Sequence, residues 1–457
     1  FRLGWVGRHL CQMIRRAGLG LVAGALALAM MSAPPAQAAN QWEQRGSDLV
    51  GSKGNDEFGY STSLSADGNT LIVGAPFDDP GATTAGGVAR VYTWNGESWE
   101  QKGAAINGSS TNDFLGQSVA ISDDGDTIAV GAPSSVDNNN SKGYVRVFRW
   151  DGTSWNRRGG DIAQGGSVVE DEFGSAVALS SDGSVVAIGA PFYDGTQGSN
   201  AGLLRVLGWD GSWTQLGADI EGGSAGDQFG ASVSLSSDGQ TVAGGAPRND
   251  DPGTDSGNAR VYSLTGGNWE KVGQSISGEA SDDQSGRSVA LSSDGRRIAI
   301  GAPNNDGNGS LSGQARVFEY DTDGTSWVQL GGDIDGSGAN YLFGYALDLS
   351  NGGNTLLVGA RNADPAGAAE VFSWNGTSWI QRGQTVNGND AGEQFGFSVA
   401  ISSDGDKFVV GGKWADDPAL NAGVVRAYTW IPASGEIPGP RTEFTYWLPD
   451  GRECTSI

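Results

Sequence analysis

Seven copies of one unit run through the chain, and nothing else limits its fold so tightly. The copies open at Trp42, Trp99, Trp155, Trp213, Trp269, Trp327 and Trp379, a period of about 57 residues. Each runs from Trp through a few polar residues, a Gly and a variable acidic stretch to Phe-Gly. A Ser-Val-Ala-Leu-Ser run follows, then a turn, an apolar run, Gly-Ala-Pro, a second variable stretch and Arg-Val-Tyr-x-Trp. In the third copy these are Phe173-Gly174, 176–180, Asp182-Gly183, 185–188, Gly189-Ala190-Pro191, Leu204-Arg205-Val206 and Trp209.

Each copy reads as four short antiparallel strands. The first follows Phe-Gly. A Ser-x-Asp-Gly hairpin leads to the second at Asp67-Gly68, Asp124-Gly125, Asp182-Gly183, Asp238-Gly239, Asp294-Gly295 and Asp404-Gly405, with Asn351-Gly352-Gly353 in the sixth copy. Asp-Gly supplies the positive φ of a hairpin turn. The second strand stops at Gly-Ala-Pro, because Pro donates no ladder bond. The third carries Arg-Val-Tyr or Arg-Val-Phe, and a hairpin such as Trp94-Asn95-Gly96-Glu97-Ser98-Trp99 leads to the fourth. The pattern predicts an all-β fold, a seven-bladed β-propeller of four-stranded antiparallel blades. The small residues of the first strands suit the crowded axis.

The phase of the repeat predicts how the ring closes. After Trp430 the pattern stops at Ile431-Pro432 and Pro438-Gly439-Pro440, whereas 42–46 has fourth-strand character with no third strand before it. The N-terminal strand is expected to complete blade seven beside 424–430, hiding an edge that would otherwise pair with other chains. The tail segment 443–448 competes for that slot.

Composition then narrows the chemistry. Gly is abundant at 76, yet fifteen Trp, fifteen Phe and ten Tyr exclude a disordered chain. Residues 1–38 read as a signal peptide with its start at Met13. The basic Met13-Ile14-Arg15-Arg16, the apolar 17–31 and Ala36-Gln37-Ala38 carry that reading. The propeller then spans 39–430, and 431–457 is a Pro/Gly-rich tail. Export to the periplasm, cell surface or medium is expected. Processing removes every Met, the only His (His9), Cys11 and four arginines but no acid, so the mature chain is more negative than the −25 of the whole. Without imidazole there is no Ser-His-Asp triad and no His-ligated metal. Such a charge excludes nucleic acid as a partner, and no membrane insertion is expected. Cys454 alone makes no disulfide framework.

Phe58-Gly59 followed by Gly74-Ala75-Pro76 resembles the FG-GAP repeat of the integrin α-subunit propeller and its bacterial relatives, and the resemblance covers 42–430. Some copies depart from it, with Phe114-Leu115-Gly116, Ser285-Gly286, Gly359-Ala360-Arg361 and Gly411-Gly412-Lys413. Many integrin-type repeats carry an Asp-x-Asp-x-Asp-Gly calcium loop between the first two strands. Here it is shrunk to Ser-x-Asp-Gly, too few oxygens for Ca²⁺, so those sites do not carry over. No cofactor is required, and Ca²⁺ stays open only for the other acidic loops. The resemblance implies an exported recognition or adhesion propeller that binds a protein or glycan through its loop face. The alternatives are a carbohydrate-active enzyme using carboxylates or Tyr, and a structural module of a larger surface protein.

The loops entering the first strand and those leaving the second should share one face. That face receives Asp56, Asp113, Asp171, Asp227 and Asp283, and also Asp78-Asp79-Pro80, Asp250-Asp251-Pro252 and Asp416-Asp417-Pro418. Repetition in copy after copy favours turn-capping for these acids. The third-strand arginines (Arg90, Arg146, Arg205, Arg260, Arg316 and Arg426) read as structural ion-pair donors. The sixth copy has Glu370 in that place and Tyr341 where the others have Asp, a joint change that suggests pairing. The Trp pairs are expected to pack between blades. Bulky loop residues on a rigid scaffold are the binding candidates: Trp414, Phe77, Phe192, Tyr193 and Tyr341, with Asp79, Asp251 and Asp417.

Overall fold

In a computed structural model of the full chain, the described residues are 40–81, 83–134, 143–164, 171–321 and 323–433, together with the backbone of Phe444–Trp447 and Glu453–Ser456. The signal-peptide reading of 1–38 lies outside them. Among them there are seven antiparallel blades and no helix. Blade one is typical: Ser61–Leu64, Thr70–Ala75 and Val88–Trp94 pair in order, and an outer strand follows. That outer strand is broken in two, Trp99–Gln101 and Ile106–Asn107, both paired with the third strand. The break recurs in every blade.

The N-terminal strand closes the ring. Gln41–Gln44 pairs antiparallel with Val424–Ile431, setting Trp42 opposite Trp430, and Leu49–Val50 adds the second piece. The competing tail segment pairs elsewhere, with Phe444–Trp447 against Glu453–Ser456.

The family motif is the blade-to-blade joint. A Cβ on Gly74 of Gly-Ala-Pro would stand 1.9 Å from the Gly116 carbonyl of the next blade's Phe-Gly, so no side chain fits. The same approach recurs at Gly131, Gly189, Gly245, Gly301 and Gly359, and Gly411 against Gly59 carries it across the seam at 2.2 Å. Gly59 itself sits at φ +88°, where L side chains are strained. The preceding Phe side chains fill the core: Phe58, Phe173, Phe229, Phe343 and Phe395 are buried, and Leu115, not Phe114, takes that place in blade two. At the rim each fourth-strand Trp donates its indole N–H to the preceding blade, as Trp99 to the Arg45 carbonyl at 3.0 Å and, across the seam, Trp42 to Arg382 at 2.7 Å. The expected role of the Trp pairs between blades is therefore met.

Candidate functional site

The two faces of the ring are built differently. On one, the first hairpins form a closed cycle of backbone bonds. Ala66 N–H donates to the Asp123 carbonyl, Asp123 to Ser181, and so on through Ser237, Ser293, Asn351 and Ser403 back to Ala66. Within six of the seven hairpins the Ser hydroxyl bonds the Asp carboxylate, which also accepts a backbone N–H, as in Ser65, Asp67 and Asn69. The hairpin acids are thus committed to the turn.

The other face holds the loops into the first strand and out of the second. They interlock: Asn112 and Phe114 N–H donate to Thr84 and Ala85 carbonyls of the neighbouring blade, and Gly87 bridges Leu115. The acids before Phe-Gly are buried caps. Asp56 accepts from Ser52 and Lys53 N–H, Asp113 from Ser109 and Ser110 N–H, Asp227 from Gly223 and Ser224 N–H, and Asp283 from Glu279 and Ala280 N–H. Asp171 is likewise buried.

All six third-strand arginines pair with acids in or beside their own blade. Arg90 meets Asp78 at 2.7 Å, Arg146 Asp161 at 2.9 Å, Arg205 Asp219 at 2.6 Å, Arg260 Asp227 at 3.1 Å and Arg316 Glu279 at 3.5 Å, while Arg426 meets Asp48 and Glu393. Only Arg260 and Arg426 use the acid before Phe-Gly. Arg146, Arg205 and Arg426 reach the acid just before the outer strand's second piece, a partner the sequence did not reveal. The exchanged pair of blade six does meet: Tyr341 donates its hydroxyl to Glu370 at 3.0 Å. Burial holds the Glu370 carboxyl above its usual range and pushes the Tyr341 phenol up to about 12.

The candidate binding residues divide. Phe77 and Trp414 are each 40% exposed on the loops after the second strand. Phe192 lines the axial cavity. Tyr193 and Tyr341 pack against the cores of their blades. Asp79 is exposed, but its carboxylate accepts the Ala85 N–H at 2.6 Å. Asp250 and Asp416 cap their own loops in the same way, on Asp255 and Asn421. Asp251 and Asp417 are therefore one residue past the position of Asp79. Their carboxylates are exposed and make no hydrogen bond among the described residues.

At the axis, below these loops, lies a cavity of about 490 Å³ to which all seven blades contribute. The residue directly after each Phe-Gly enters it: Tyr60, Gln117, Ser175, Ala231, Arg287, Tyr345 and Phe397. The sequence reading missed this position, whose signal is variation inside an otherwise repeated frame. Aromatic contacts run unbroken across four blades, from Phe114 to Phe77 (5.1 Å), Tyr60 (6.5 Å), Phe397 (4.9 Å) and Tyr345 (5.1 Å). Cations lie on this belt. Arg361 stands 4.0 Å over the Tyr345 ring, and Lys413 4.3 Å over Phe397 and 4.8 Å over Trp414. Glu172 is the carboxylate lining the cavity, and burial pushes it up. Among the described residues no cluster of three or more His, Cys, Asp or Glu is placed to hold a metal, and no helix is long and apolar enough to cross a membrane.

Residues 51–92, 100–148, 220–262 and 276–318 each match the FG-GAP repeat family. No curated protein matches the chain. The matched segments contain the Phe-Gly and Gly-Ala-Pro joints of blades one, two, four and five, and blades three, six and seven repeat the same geometry. The chain thus carries FG-GAP repeats in four places on a seven-bladed β-propeller.

Proposed function

We propose that this propeller is an exported recognition module of the adhesion type, which binds an extracellular protein or glycan on its loop face. The FG-GAP propeller suggests an interaction module, and such repeats are typical of extracellular or surface proteins. The observation that carries the choice of face is the distribution of exposed apolar side chains. Phe77, Leu311, Trp414 and Leu420 stand on the loops after the second strand, and Val50 on the same side, and both exposed aromatics, Phe77 and Trp414, are among them. The other exposed large apolar side chains among the described residues, Val328 and Ile380, are aliphatic and lie on outer strands just after the rim hairpins. Exposed aromatics around a rigid concave mouth are the usual anchors of an interface. Catalysis by a carboxylate pair has less support, because Glu172 stands without a second acid among the residues lining the cavity.

An array of glycans and matrix proteins, probed with Ca²⁺ and with chelator, tests this reading. The proposal expects a specific ligand whose binding falls at least about tenfold in Trp414→Ala and Phe77→Ala. Binding untouched by both changes would overturn the assignment of the face.

A further inference from the structure

The wall of the axial cavity contradicts the charge of the rest of the molecule. In a chain of net charge −25, Arg287 of blade five lines the cavity, and Arg361 and Lys413 of blades six and seven lie on the Tyr345 and Phe397 rings that line it too. Arg287 lines the cavity and donates to the Tyr345 hydroxyl at 2.7 Å, with its guanidinium 4.5 Å from that ring. Arg361 covers the same ring at 4.0 Å. Lys413 lies over Phe397 and Tyr60 at 4.3 and 5.1 Å and pairs with Glu57 at 3.3 Å.

Neither arginine has a carboxylate. This sets them apart from the six third-strand arginines, each paired with a carboxylate. Arg361 Nε is buried without a hydrogen-bond partner, and no hydrogen bond of its guanidinium exists among the described residues. A guanidinium whose Nε is buried in this state costs free energy that an anion on the group would return. Arg287 in the lining and Arg361 against the lining ring of Tyr345 are two forked donors that suit an oxyanion, which each can hold bidentately.

The remaining lining indicates what carries the anion. Gln117, Gln228 and Gln284 line the cavity on blades two, four and five, and their amides bond to nothing among the described residues. Serine hydroxyls at Ser61, Ser118 and Ser288 donate to backbone carbonyls of the next blade and keep free acceptor capacity. Unspent amides and hydroxyls facing an unpaired cationic wall match a ligand with several hydroxyls and one acidic group. The volume of about 490 Å³ lies within the range of small-molecule sites and is too small for a folded segment. At physiological ionic strength the screening length is about 8 Å, so the outer acids do not cancel a cation wall inside a partly dry mouth. Glu172 and Arg248 also line the cavity, and Arg248 is held by Asp255 at 2.7 Å.

We infer that the axial cavity is a binding site for a short acidic saccharide, with Arg287 and Arg361 holding its carboxylate or sulfate and the glutamine amides its hydroxyls. The inference rests on the recognition reading but concerns a different part of the loop face from Phe77 and Trp414. Calorimetry on the full chain would use a galacturonate trisaccharide, a sulfated galactan trisaccharide, a neutral galactan trisaccharide and a tri-glutamate peptide. One or both acidic sugars should bind, which identifies the oxyanion, and the neutral sugar should not. Arg361→Gln and Arg287→Gln should each weaken binding at least about tenfold. Arg361→Lys should keep part of it, and the melting temperature of every variant shows whether the fold survives. If a glutamine variant does not fold, a rise in the wild-type melting temperature with the acidic sugar, absent with the neutral one, carries the test. Equal binding of the neutral sugar, preference for the peptide, or binding unchanged in both folded glutamine variants would overturn the inference. A protein or neutral glycan found on the array that depends on Trp414 and not on Arg361 would leave the recognition reading standing while this one fails.

Discussion

The hairpin face and the loop face come from the same seven repeats, yet they spend their polar groups in opposite ways. On the hairpin face Ser, Asp and the backbone close a cycle that returns from Ser403 to Ala66, and six of the seven hairpins keep Ser-x-Asp-Gly. On the loop face the acids before Phe-Gly also cap turns. Between those caps the side chains vary from blade to blade, and several make no hydrogen bond among the described residues: Arg361, Asp251, Asp417 and the three cavity glutamines. The difference teaches that repetition here marks structure, and departure from repetition marks a surface free for a ligand.

The largest expected effect is on the ring. Deleting residues 39–47 removes the outer strand of blade seven, including Trp42 and its bond to Arg382. Light scattering should show loss of the monomer through unfolding or association of the bared edge. Deleting 441–457 should leave the monomer intact. Next comes the paired side of the loop face. Arg260→Leu strands a buried Asp227 and should cost about 3–5 kcal/mol in denaturant melts. A loss below about 1 kcal/mol would show that such pairs do not hold the loops. At the joint, Gly301→Ala places a methyl group 2.0 Å from the Gly344 carbonyl and should cost about 2–3 kcal/mol.

A smaller effect depends on pH. Asp348, on the first strand of blade six, accepts N–H bonds from Ile401 of the next blade and from Leu349. Ser63 and Ser234 hold the corresponding bonds in blades one and four. Burial raises the Asp348 carboxyl from 3.8 to about 6. A folded value above the unfolded one means that the protonated form is favoured on folding. Stability is therefore lost as pH rises from about 3.8 through 6, and the loss is constant above that. Asp348→Ser should stabilise the chain by about 1–3 kcal/mol above pH 6. The gain should shrink toward pH 4, and a gain that does not change with pH would contradict the cause. Smallest of all, Trp414→Ala and Phe77→Ala should change stability by about 1 kcal/mol or less, because both side chains are 40% exposed and their remaining contacts lie at the surface.

Much of this architecture can be read from the sequence because its cause is local and repeated. Asp-Gly at one place in six copies fixes the hairpins, and the missing third strand before Trp42 fixes the closure. The joint exchange to Tyr341 and Glu370 foretells a contact that is present at 3.0 Å. The cationic cluster at the cavity could not be read, because Arg287, Tyr345 and Arg361 lie 16 to 74 residues apart and only the packing of blade five against blade six brings them together. The Asp-Asp-Pro motifs misled for a different reason. Asp79 resembles Asp251 and Asp417 by its neighbours, yet the loop that must be capped is counted from Gly-Ala-Pro, and Asp250 and Asp416 occupy the capping place. The break in each outer strand left no sequence signal that separated it from a continuous strand.

The division of labour between the faces has one direct test. In a Cys454→Ser background, a single cysteine placed at Trp414 on the loop face or at Asp123 on the hairpin face can carry a bulky polyethylene glycol maleimide. Both positions are exposed. Each labelled protein is then measured against the glycan and protein array. The polymer at position 414 should abolish binding, and the polymer at position 123 should leave it within about twofold of the unlabelled protein. Binding blocked from position 123 and spared at 414 would contradict the account.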